Sequence, residues 1–469
     1  MTRALPLLAA VVVACAGCGG KKEERGPTAP TQRFVTRPDL KPPIVRVVKR
    51  TPNAAPGYIF IAPKKKVAQA GPLILDDAGN VVWFHPLDTH GVTDFRVQRY
   101  RGRPALTWWR GAATTHGIGT AGGYVIADQS YRVIAFVAAK HGLTGDIHEF
   151  LLTPQNTALF TVYHKLKYDL SPLGGPKDGE LWEAVVQEVD VATRKLLFEW
   201  HSLPHVAVSE SYEHMPEEIP YDYFHINSVA PDGPDRLLIS GRHVSAIYEI
   251  RKSDGAVVWR LGGKKSDFTM GRGTHFAWQH DARRLSDGTI SLFDNAAEHP
   301  GEAKESKVLV VRLDETKRTA ELVRSYTRPK PLLSTSQGNA QFLPDGHVLV
   351  GWGANPFVTE FSRDGRVLLD LAFGNKDVDS YRAFKDEWVG RPADRPRAVV
   401  REGRLYVSWN GATDVARWRV LAGGKRVAEF SKSGFETSET IPSRARSVVV
   451  QALDASGRVL GSSGPARVP

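Results

Sequence analysis

The sequence predicts an all-β protein in which a six-bladed β-propeller is followed by a small fibronectin-III-like β-sandwich. Three observations support this fold class: a hairpin pattern that occurs six times, a second repeated pattern that carries histidines, and a C-terminal stretch with its own alternation. With 469 residues, 42% of them hydrophobic and 24% charged, the chain is long enough for a large core and more than one domain. Its 43 Gly and 11 Trp are typical of strands joined by tight turns.

The first residues have the pattern of an export signal. Arg3 precedes the short apolar run 4–14, which is too short to span a membrane, and small residues precede Cys18. We therefore expect residues 1–17 to be a signal peptide with a lipobox-like end. Cys18 would be the lipidation site, with Cys15 as an alternative, and a plain cleaved secretory signal is also possible. The interpretation predicts an exported, extracytoplasmic protein that a lipid anchors to the membrane.

Both cysteines of the chain lie in this segment, so we expect no disulfide in the mature domain. Residues 18–43 are polar and rich in proline, a composition typical of a semi-extended tether.

After the tether, alternating apolar residues, an Asp/Gly turn and a second strand form a hairpin that recurs at intervals of roughly 50 to 60 residues. The six copies span 73–83, 124–136, 185–200, 247–259, 308–324 and 358–369. Together with the strand pairs between them they predict six four-stranded sheets, and we expect the propeller to span 44–394. A β-helix would have a shorter period, and a sandwich would not repeat six times.

The strand pairs between these hairpins carry the histidines. The stretch 276–295 predicts a hairpin with His280 near its start, and the same pattern upstream supplies His148 and His225. A fourth copy has Gln341 where the others have histidine. Equivalent positions of repeats related by rotation converge on the axis, so the three imidazoles are expected to face one cavity.

Residues 395–469 follow a proline-containing break. Alternating apolar and polar residues with an early Trp predict a fibronectin-III-like sandwich. It carries no plausible catalytic cluster, so we interpret it as a packing or interaction surface.

The polar residues beside the histidines suggest the chemistry. Arg242 follows the strand of His225, while Asn227 and Asp281 are candidate substrate-binding residues and Trp278 is a candidate for stacking on an aryl ring. Three histidines could bind zinc, but an arginine disfavours a cation and suits a tetrahedral oxyanion. A neutral imidazole is also a good nucleophile towards sulfur or phosphorus.

These residues favour group transfer from an oxyanion ester. A metal-dependent hydrolase and a non-catalytic envelope propeller that binds sulfated or other anionic ligands are the alternatives. The formal charge of +11 favours an anionic partner, but no basic block with interleaved aromatics predicts nucleic-acid binding.

Four motifs carry a resemblance to a known family: DYFHINS (222–228), SGRHVSAIY (240–248), VWRLGG (258–263) and WQHDAR (278–283). They resemble the bacterial arylsulfate sulfotransferases. The resemblance implies a six-bladed propeller that uses no nucleotide sulfate such as PAPS and no cofactor, with a small-molecule aryl sulfate as donor and a phenol as acceptor.

The resemblance also implies residue roles. His280 would attack the aryl sulfate to give a sulfohistidine that a phenol then relieves in ping-pong order, while His148, His225 and Arg242 would hold the sulfuryl oxygens. Either His148 or His225 could handle the proton. The sequence departs from the family in a shorter stretch from Arg242 to His280 and in its C-terminal addition, so the resemblance does not identify the donors and acceptors.

One long insertion leads directly into His225. The loop 202–223 could shape the acceptor pocket through Tyr212, Tyr221 or Tyr223, or it could be a solvated surface excursion.

Overall fold

The structure, a computed structural model, describes residues 28–89, 91–215, 220–301, 303–441 and 445–468. These residues form strands, turns and two short 3-10 helices, Ser171–Leu173 and Val208–Glu210, and contain no α-helix. The predicted all-β class is confirmed. No described helix is long and apolar enough to cross a membrane. The predicted signal peptide with Cys15 and Cys18 lies outside the described residues.

The strands of the repeat region are, in chain order, β1 (Val45–Arg50), β2 (Tyr58–Ile61), β3 (Lys64–Lys65), β4 (Leu73–Leu75), β5 (Val81–Phe84), β6 (Gly91–Tyr100), β7 (Arg103–Ala113), β8 (Gly119–Ala127), β9 (Val133–Val137), β10 (Thr144–Leu152), β11 (Thr157–Tyr168), β12 (Gly179–Asp190), β13 (Leu196–His201), β14 (Ile226–Pro231), β15 (Arg236–Gly241), β16 (Ala246–Arg251), β17 (Val257–Gly262), β18 (Thr269–Met270), β19 (His280–Arg284), β20 (Ile290–Asp294), β21 (Lys307–Asp314), β22 (Thr319–Tyr326), β23 (Asn339–Phe342), β24 (Val348–Gly351), β25 (Phe357–Phe361), β26 (Val367–Phe373), β27 (Val378–Asp379) and β28 (Ala383–Asp386). The C-terminal strands are β29 (Arg397–Arg401), β30 (Arg404–Ser408), β31 (Arg417–Ala422), β32 (Lys425–Ser431), β33 (Glu436–Thr440), β34 (Ser447–Leu453), β35 (Val459–Ser462) and β36 (Ala466–Arg467).

The repeat region contains a two-stranded sheet of β3 and β27 and six larger sheets, which are antiparallel except where β18 pairs with β22. Five of them contain four consecutive strands each, β6 to β9, β10 to β13, β14 to β17, β19 to β22 and β23 to β26, with β18 and β1 added at the outer edges of the last two. The sixth has the order β28-β2-β4-β5, so a strand from the end of the region pairs with strands from its beginning. All six predicted hairpins are present as paired strands.

The first strands of the six sheets lie side by side. Each of β6, β10, β14, β19, β23 and β28 contacts the next in this order, and β28 contacts β6. The sheets pack through apolar side chains that are buried on both faces, such as those of Leu237, Leu238 and Ile239. Burying one such side chain contributes about 1.5–3 kcal/mol.

The C-terminal strands form a unit of their own with two sheets, β29-β30-β33 and β32-β31-β34-β35, and with β36 paired to β34. Its core contains the buried Trp418. Asn410 joins the unit to the repeat region, because its side-chain amide accepts the backbone N–H of Phe84 at 3.0 Å and donates to the Phe84 oxygen at 3.0 Å.

Residues 28–43, the described part of the predicted tether, pack between these two regions. The Ala29 N–H donates to the Lys66 oxygen at 2.8 Å, and the Thr36 N–H donates to the Glu436 carboxylate at 2.6 Å. The rings of Phe34 and Phe435 lie 4.2 Å apart. Residues 28–43 are therefore packed against folded parts of the chain, and the remainder of the predicted tether, 18–27, lies outside the described residues.

Candidate active site

The three histidines predicted from the repeats are buried and lie close together. The rings of His148 and His225 are 4.9 Å apart at an angle of 80°. The ring of Tyr381 bridges to His280, since it lies 5.5 Å from the His148 ring and 6.3 Å from the His280 ring. The structure therefore places His148, His225 and His280 in one cluster.

Irregular backbone at the starts of β10, β14 and β19 places these side chains. The register of pairing shifts between Gly145 and Phe150, between Ile226 and Ser228, and between His280 and Arg283. Such bulges re-aim side chains next to functional sites. His225 also has a left-handed φ of 50°, an uncommon conformation for a residue with a side chain.

Two aspartates orient two of the histidines. Asp146 Oδ2 lies 2.5 Å from His148 Nδ1, and Asp222 Oδ2 lies 2.5 Å from His225 Nδ1. A carboxylate accepts a hydrogen bond from the protonated Nδ1, so the lone pair of a neutral ring lies on Nε2. Burial, with His148 and Arg242 nearby, holds the pKa of His225 well below its usual range.

His280 is oriented by an amide instead of a carboxylate. Its Nδ1 lies 2.7 Å from Asn295 Oδ1, and its Nε2 accepts the backbone N–H of Gln337 at 3.2 Å. Burial and then the Arg242 guanidinium hold the pKa of His280 well below its usual range. The ring is therefore neutral at pH 7, with its lone pair on Nε2.

Arg242 lies beside the histidines, and its donors are only partly used. Its Nη1 donates to His243 Nε2 at 2.8 Å, and its Nη2 donates to the Thr335 oxygen at 3.2 Å. Its guanidinium lies 4.5 Å from the ring centre of Trp278. Its Nε is buried and has no hydrogen-bond partner among the described residues, so a bound oxyanion could satisfy it.

His243 was not predicted to belong to the site. Its ring stacks on that of His225 at 4.5 Å, and its Nδ1 donates to the backbone oxygen of Asp222 at 2.5 Å. This bond leaves Nε2 free to accept from Arg242. His243 thus couples the arginine to the His225 ring, and its place directly after Arg242 was the available sequence signal.

The three candidate substrate-binding residues have different surroundings. Trp278 lies against Arg242, and its Nε1 donates to the His299 oxygen at 2.9 Å. Asn227 is fully buried, donates to the Gln279 oxygen at 2.6 Å, and has a side-chain oxygen without a hydrogen-bond partner in the described part of the chain. Both carboxylate oxygens of Asp281 are already used.

Asp281 belongs to a buried ion network beside the histidines. Three carboxylates and three guanidinium groups form it: Asp94, Glu149, Asp281, Arg96, Arg283 and Arg382. Arg382 Nη1 lies 3.0 Å from Asp94 and 2.9 Å from Glu149, and the surrounding guanidinium groups hold the pKa of Glu149 well below its usual range. The charges balance, as burial of ions requires.

Gln341 does not take the place of a fourth histidine. Its side chain bonds to the backbone of Lys385 on β28, at 2.6 and 2.9 Å. The glutamine that reaches the site is Gln337, whose backbone N–H contacts His280 from a left-handed conformation with a φ of 66°.

The loop 202–223 packs against the site in its described part. The Tyr212 N–H donates to the His243 oxygen at 2.8 Å, and the Tyr212 ring lies 6.0 Å from the ring of His299. Tyr221 and Tyr223 are buried with their hydroxyls bonded to the Glu213 oxygen and to Ser202. Tyr212 is therefore the loop tyrosine best placed to contact a bound ring.

Two groups of described residues could hold a metal ion. One is buried in the site, Asp222, His225 and His243, and the other lies elsewhere, His164, Glu183 and His201. The buried group has the Arg242 guanidinium 2.8 Å from its His243, which disfavours a cation there and favours an anion. The site combines a neutral nucleophilic imidazole, two Asp-oriented histidines and an arginine, a set suited to transferring an anionic group.

A family model described as Arylsulfotransferase (ASST) matches residues 96–374. No curated protein matches the sequence significantly. Among solved structures, a protein of unknown function from Bacteroides caccae is 12% identical, with 71% of this chain and 99% of that chain covered and a TM-score of 0.41. A catalytically inactive virginiamycin B lyase from Staphylococcus aureus with quinupristin is 7% identical, with 78% and 94% covered and a TM-score of 0.32. The Dos1 propeller is 11% identical, with 75% and 73% covered and a TM-score of 0.32.

Proposed function

Because the chain belongs to the arylsulfotransferase (ASST) family, we propose that it moves a sulfuryl group from an aryl sulfate to a phenol through a sulfohistidine at His280. The observation that carries this proposal is the bond from His280 Nδ1 to Asn295 Oδ1, which places the lone pair of a neutral ring on Nε2, where attack on sulfur would replace the 3.2 Å bond from the Gln337 N–H.

The first half-reaction forms one bond and breaks one. The His280 Nε2 lone pair attacks the sulfur, the nitrogen–sulfur bond forms, and the aryl oxygen leaves with the electrons of the sulfur–oxygen bond and takes up a proton. In the second half the oxygen of the acceptor phenol attacks the same sulfur and loses its proton, and the bonding pair returns to Nε2. No oxidation, metal or nucleotide sulfate takes part.

Arg242, His148 and His225 are proposed to hold the sulfuryl oxygens. The buried Arg242 Nε–H, which has no partner among the described residues, supplies one hydrogen bond, and each Asp-oriented ring can supply another only when its Nε2 also carries a proton. Removing one donor of this kind from an active site typically reduces kcat by about 10²–10³.

The proton for the leaving group is assigned to His148. The strongly lowered pKa of His225 disfavours its protonated form, so His225 is a poor acid. His148 also has an aspartate on its Nδ1, the arrangement that stabilises an imidazolium during acid–base catalysis.

Tyr212 and Trp278 are proposed to contact the aryl ring, with Asn227 ordering the floor of the site. For Asp281 we propose a structural role in the ion network, because both of its oxygens are occupied.

We also propose that the six sheets are the blades of a closed β-propeller spanning 44–394, followed by a fibronectin-III-like sandwich at 395–469. The pairing of β28 with β2 and the ring of contacts between the first strands of the sheets support closure. Export and a lipid anchor at Cys18, or at Cys15, complete the proposal. Fatty-acid labelling of the wild type, Cys18→Ala and Cys15→Ala tests the anchor.

The deciding experiment mixes metal-free protein with a chromogenic aryl sulfate in the absence of an acceptor and follows phenol release and intact mass. We expect one equivalent of phenol and a gain of one sulfuryl group on the peptide with His280, neither of which occurs in His280→Ala. Binding of an unreactive aryl sulfonate without adduct or release would instead support the non-catalytic propeller. Turnover that needs added zinc and leaves no adduct would support the hydrolase.

A further inference from the structure

A second cluster of histidines lies outside the active site, on one face of the sheet β10 to β13. His164 on β11 is directly opposite Glu183 on β12, and His201 on β13 is opposite Val185, two residues further along β12. Because side chains alternate between the faces of a strand, these three residues project from the same face. From this placement we propose that His164, Glu183 and His201 bind a divalent transition-metal cation such as zinc.

The distances suit this kind of ion. His164 Nδ1 lies 3.3 Å and His201 Nδ1 lies 2.9 Å from the same oxygen of Glu183, Oε2, and the ligand atoms of the three residues all lie within 4.8 Å of one another. In a tetrahedral zinc site, with bonds of about 2.1 Å, neighbouring ligand atoms are about 3.4 Å apart. A cation fits between the two nitrogens and the carboxylate after small side-chain rotations.

The surrounding residues also resemble those of metal sites. His201 Nε2 lies 3.2 Å from Glu199 Oε1, and Glu199 Oε2 in turn accepts from Gln187 at 2.6 Å. A carboxylate on the second nitrogen of a ligating histidine fixes its tautomer and raises its basicity. His141 contacts the same Glu199 oxygen at 3.1 Å but has no contact with Glu183, so it serves as a matched control.

Charge and access favour a cation as well. Glu183 and Glu199 place two carboxylates beside His201, so the surroundings favour a cation. The side chain of Glu183 is buried, while the side chains of His164 and His201 are 41% and 34% exposed. An ion can therefore reach the site from solvent, and water can take the fourth ligand position.

The site would tie together the strands that precede the active-site loop. β13 continues into Ser202, whose hydroxyl accepts the Ala184 N–H at 3.1 Å and contacts the Tyr223 hydroxyl at 2.7 Å. Tyr223 lies next to Asp222, which orients His225. A bound ion would therefore add stability to the start of this loop without entering the sulfuryl-transfer chemistry.

The test titrates the mature chain, freed of metal with chelator, with Zn²⁺ by calorimetry and with Co²⁺ by its visible absorption. Because the buried group at Asp222 could also take metal, the titrations are done in the wild type and in His225→Ala. We expect one equivalent with a tetrahedral Co²⁺ spectrum in both, and in His141→Ala. Glu183→Gln and His164→Ala should lose that equivalent, and Glu199→Gln should weaken it by about 10–100-fold.

Zinc should also raise the Tm of the wild type and of His141→Ala but not that of Glu183→Gln, whose near-UV circular dichroism without metal should match that of the wild type. Three results would overturn the proposal. They are no binding at 0.1 mM zinc, binding that is unchanged in both Glu183→Gln and His164→Ala, and binding that is lost only in His225→Ala.

Discussion

Asn295 Oδ1 lies 2.7 Å from His280 Nδ1, while the Asn295 amide nitrogen donates to the backbone oxygens of Ser334 and Gln337 at 2.8 and 3.0 Å. These two donated bonds fix the orientation of the amide, so only its oxygen can face the imidazole. The oxygen requires a proton on Nδ1, and the lone pair of His280 must then lie on Nε2. A neutral amide orients the ring without adding the negative charge that would raise its pKa.

Replacing Asn295 with Asp adds a negative charge beside His280 and removes the bonds to the Ser334 and Gln337 oxygens, whereas Asn295→Ala removes those bonds without adding charge. The carboxylate still accepts from Nδ1, but it raises the pKa of His280, so a larger fraction of the ring is protonated and unreactive at a given acidic pH. We expect the acid limb of the pH profile of kcat/KM with an aryl sulfate to move to higher pH in Asn295→Asp. In Asn295→Ala we expect kcat/KM to fall by about 10²-fold at all pH values. Asn355→Ala, which removes an amide bonded to the Leu333 backbone, is the control and should retain the wild-type profile. An unshifted acid limb in Asn295→Asp would contradict the role assigned to this amide.

Arg242→Lys should retain the positive charge and lose most of the activity. Lysine cannot reproduce the planar set of donors that contacts His243, Thr335 and a sulfuryl group together. We expect kcat/KM for aryl sulfates to fall by about 10²–10³. Arg236→Lys, at the other end of β15 and 42% exposed, should remain within a factor of two of the wild type. A similar loss in both variants would indicate a general effect of arginine removal on the fold.

His148→Asn should make the rate depend more steeply on the leaving group. If His148 protonates the departing phenolate, its removal matters little for an acidic phenol such as nitrophenol and much for an unsubstituted one. We expect the slope of log kcat/KM against leaving-group pKa to become more negative. We assign His225 to sulfuryl binding. His225→Asn should therefore lower kcat/KM by a similar factor for every leaving group and change the slope little. The opposite pattern would exchange the two roles.

The repeats could be predicted from the sequence because each hairpin carries its own signal of alternation and turn residues. The repeats also predicted a shared position for His148, His225 and His280, since equivalent positions in repeats converge. Their partners were harder to predict. Asp146 and Asp222 precede their histidines by two and three residues, a visible signal, but the sequence does not reveal which side chains a bulge re-aims.

Asn295 and Tyr381 show what tertiary packing adds. Asn295 reaches His280 across the β19–β20 hairpin, and Tyr381 comes from the segment that closes the first sheet at the end of the repeat region. Asp281 directly follows His280, and a left-handed φ of 57° places its carboxylate in the ion network. Neither the closure nor the backbone twist has a local sequence signature.

Acid should destabilise the protein below pH 6.5 because His225, His243 and His280 are buried with pKa values held well below the usual range. Below 6.5 these residues take up protons in the unfolded state but not in the folded state, so stability is full above pH 6.5 and is lost as pH falls towards the folded pKa values. Each contributes up to about 1.4 kcal/mol per pH unit in that window. His201, with its raised pKa, is protonated in both states there and adds little slope.

Denaturant unfolding between pH 7 and 5 measures this effect, and His243→Gln should reduce the stability lost on acidification relative to the wild type. His141→Gln, at an exposed position, should not change it. The same dependence of stability on pH in His243→Gln and in the wild type would contradict burial of a neutral His243 in the folded state.

Arg382→Met should be far more destabilising than its position away from the reacting atoms suggests. The side chain is fully buried, and it balances Asp94 and Glu149 while its Nη2 donates to the Asn227 oxygen at 3.2 Å. Removing it leaves three carboxylates with two guanidinium groups in a site without solvent, and breaking such a buried network costs about 3–5 kcal/mol.

Denaturant unfolding at pH 7 checks this expectation, with Arg366→Met as the control, because the exposed Arg366–Asp364 pair should contribute less than about 1 kcal/mol. Since the neighbouring Tyr381 ring contacts both His148 and His280, Arg382→Met should also lower kcat even where the protein is fully folded. Equal stability losses in the two variants would mean that the network is hydrated and that its charges are screened by water instead of by one another.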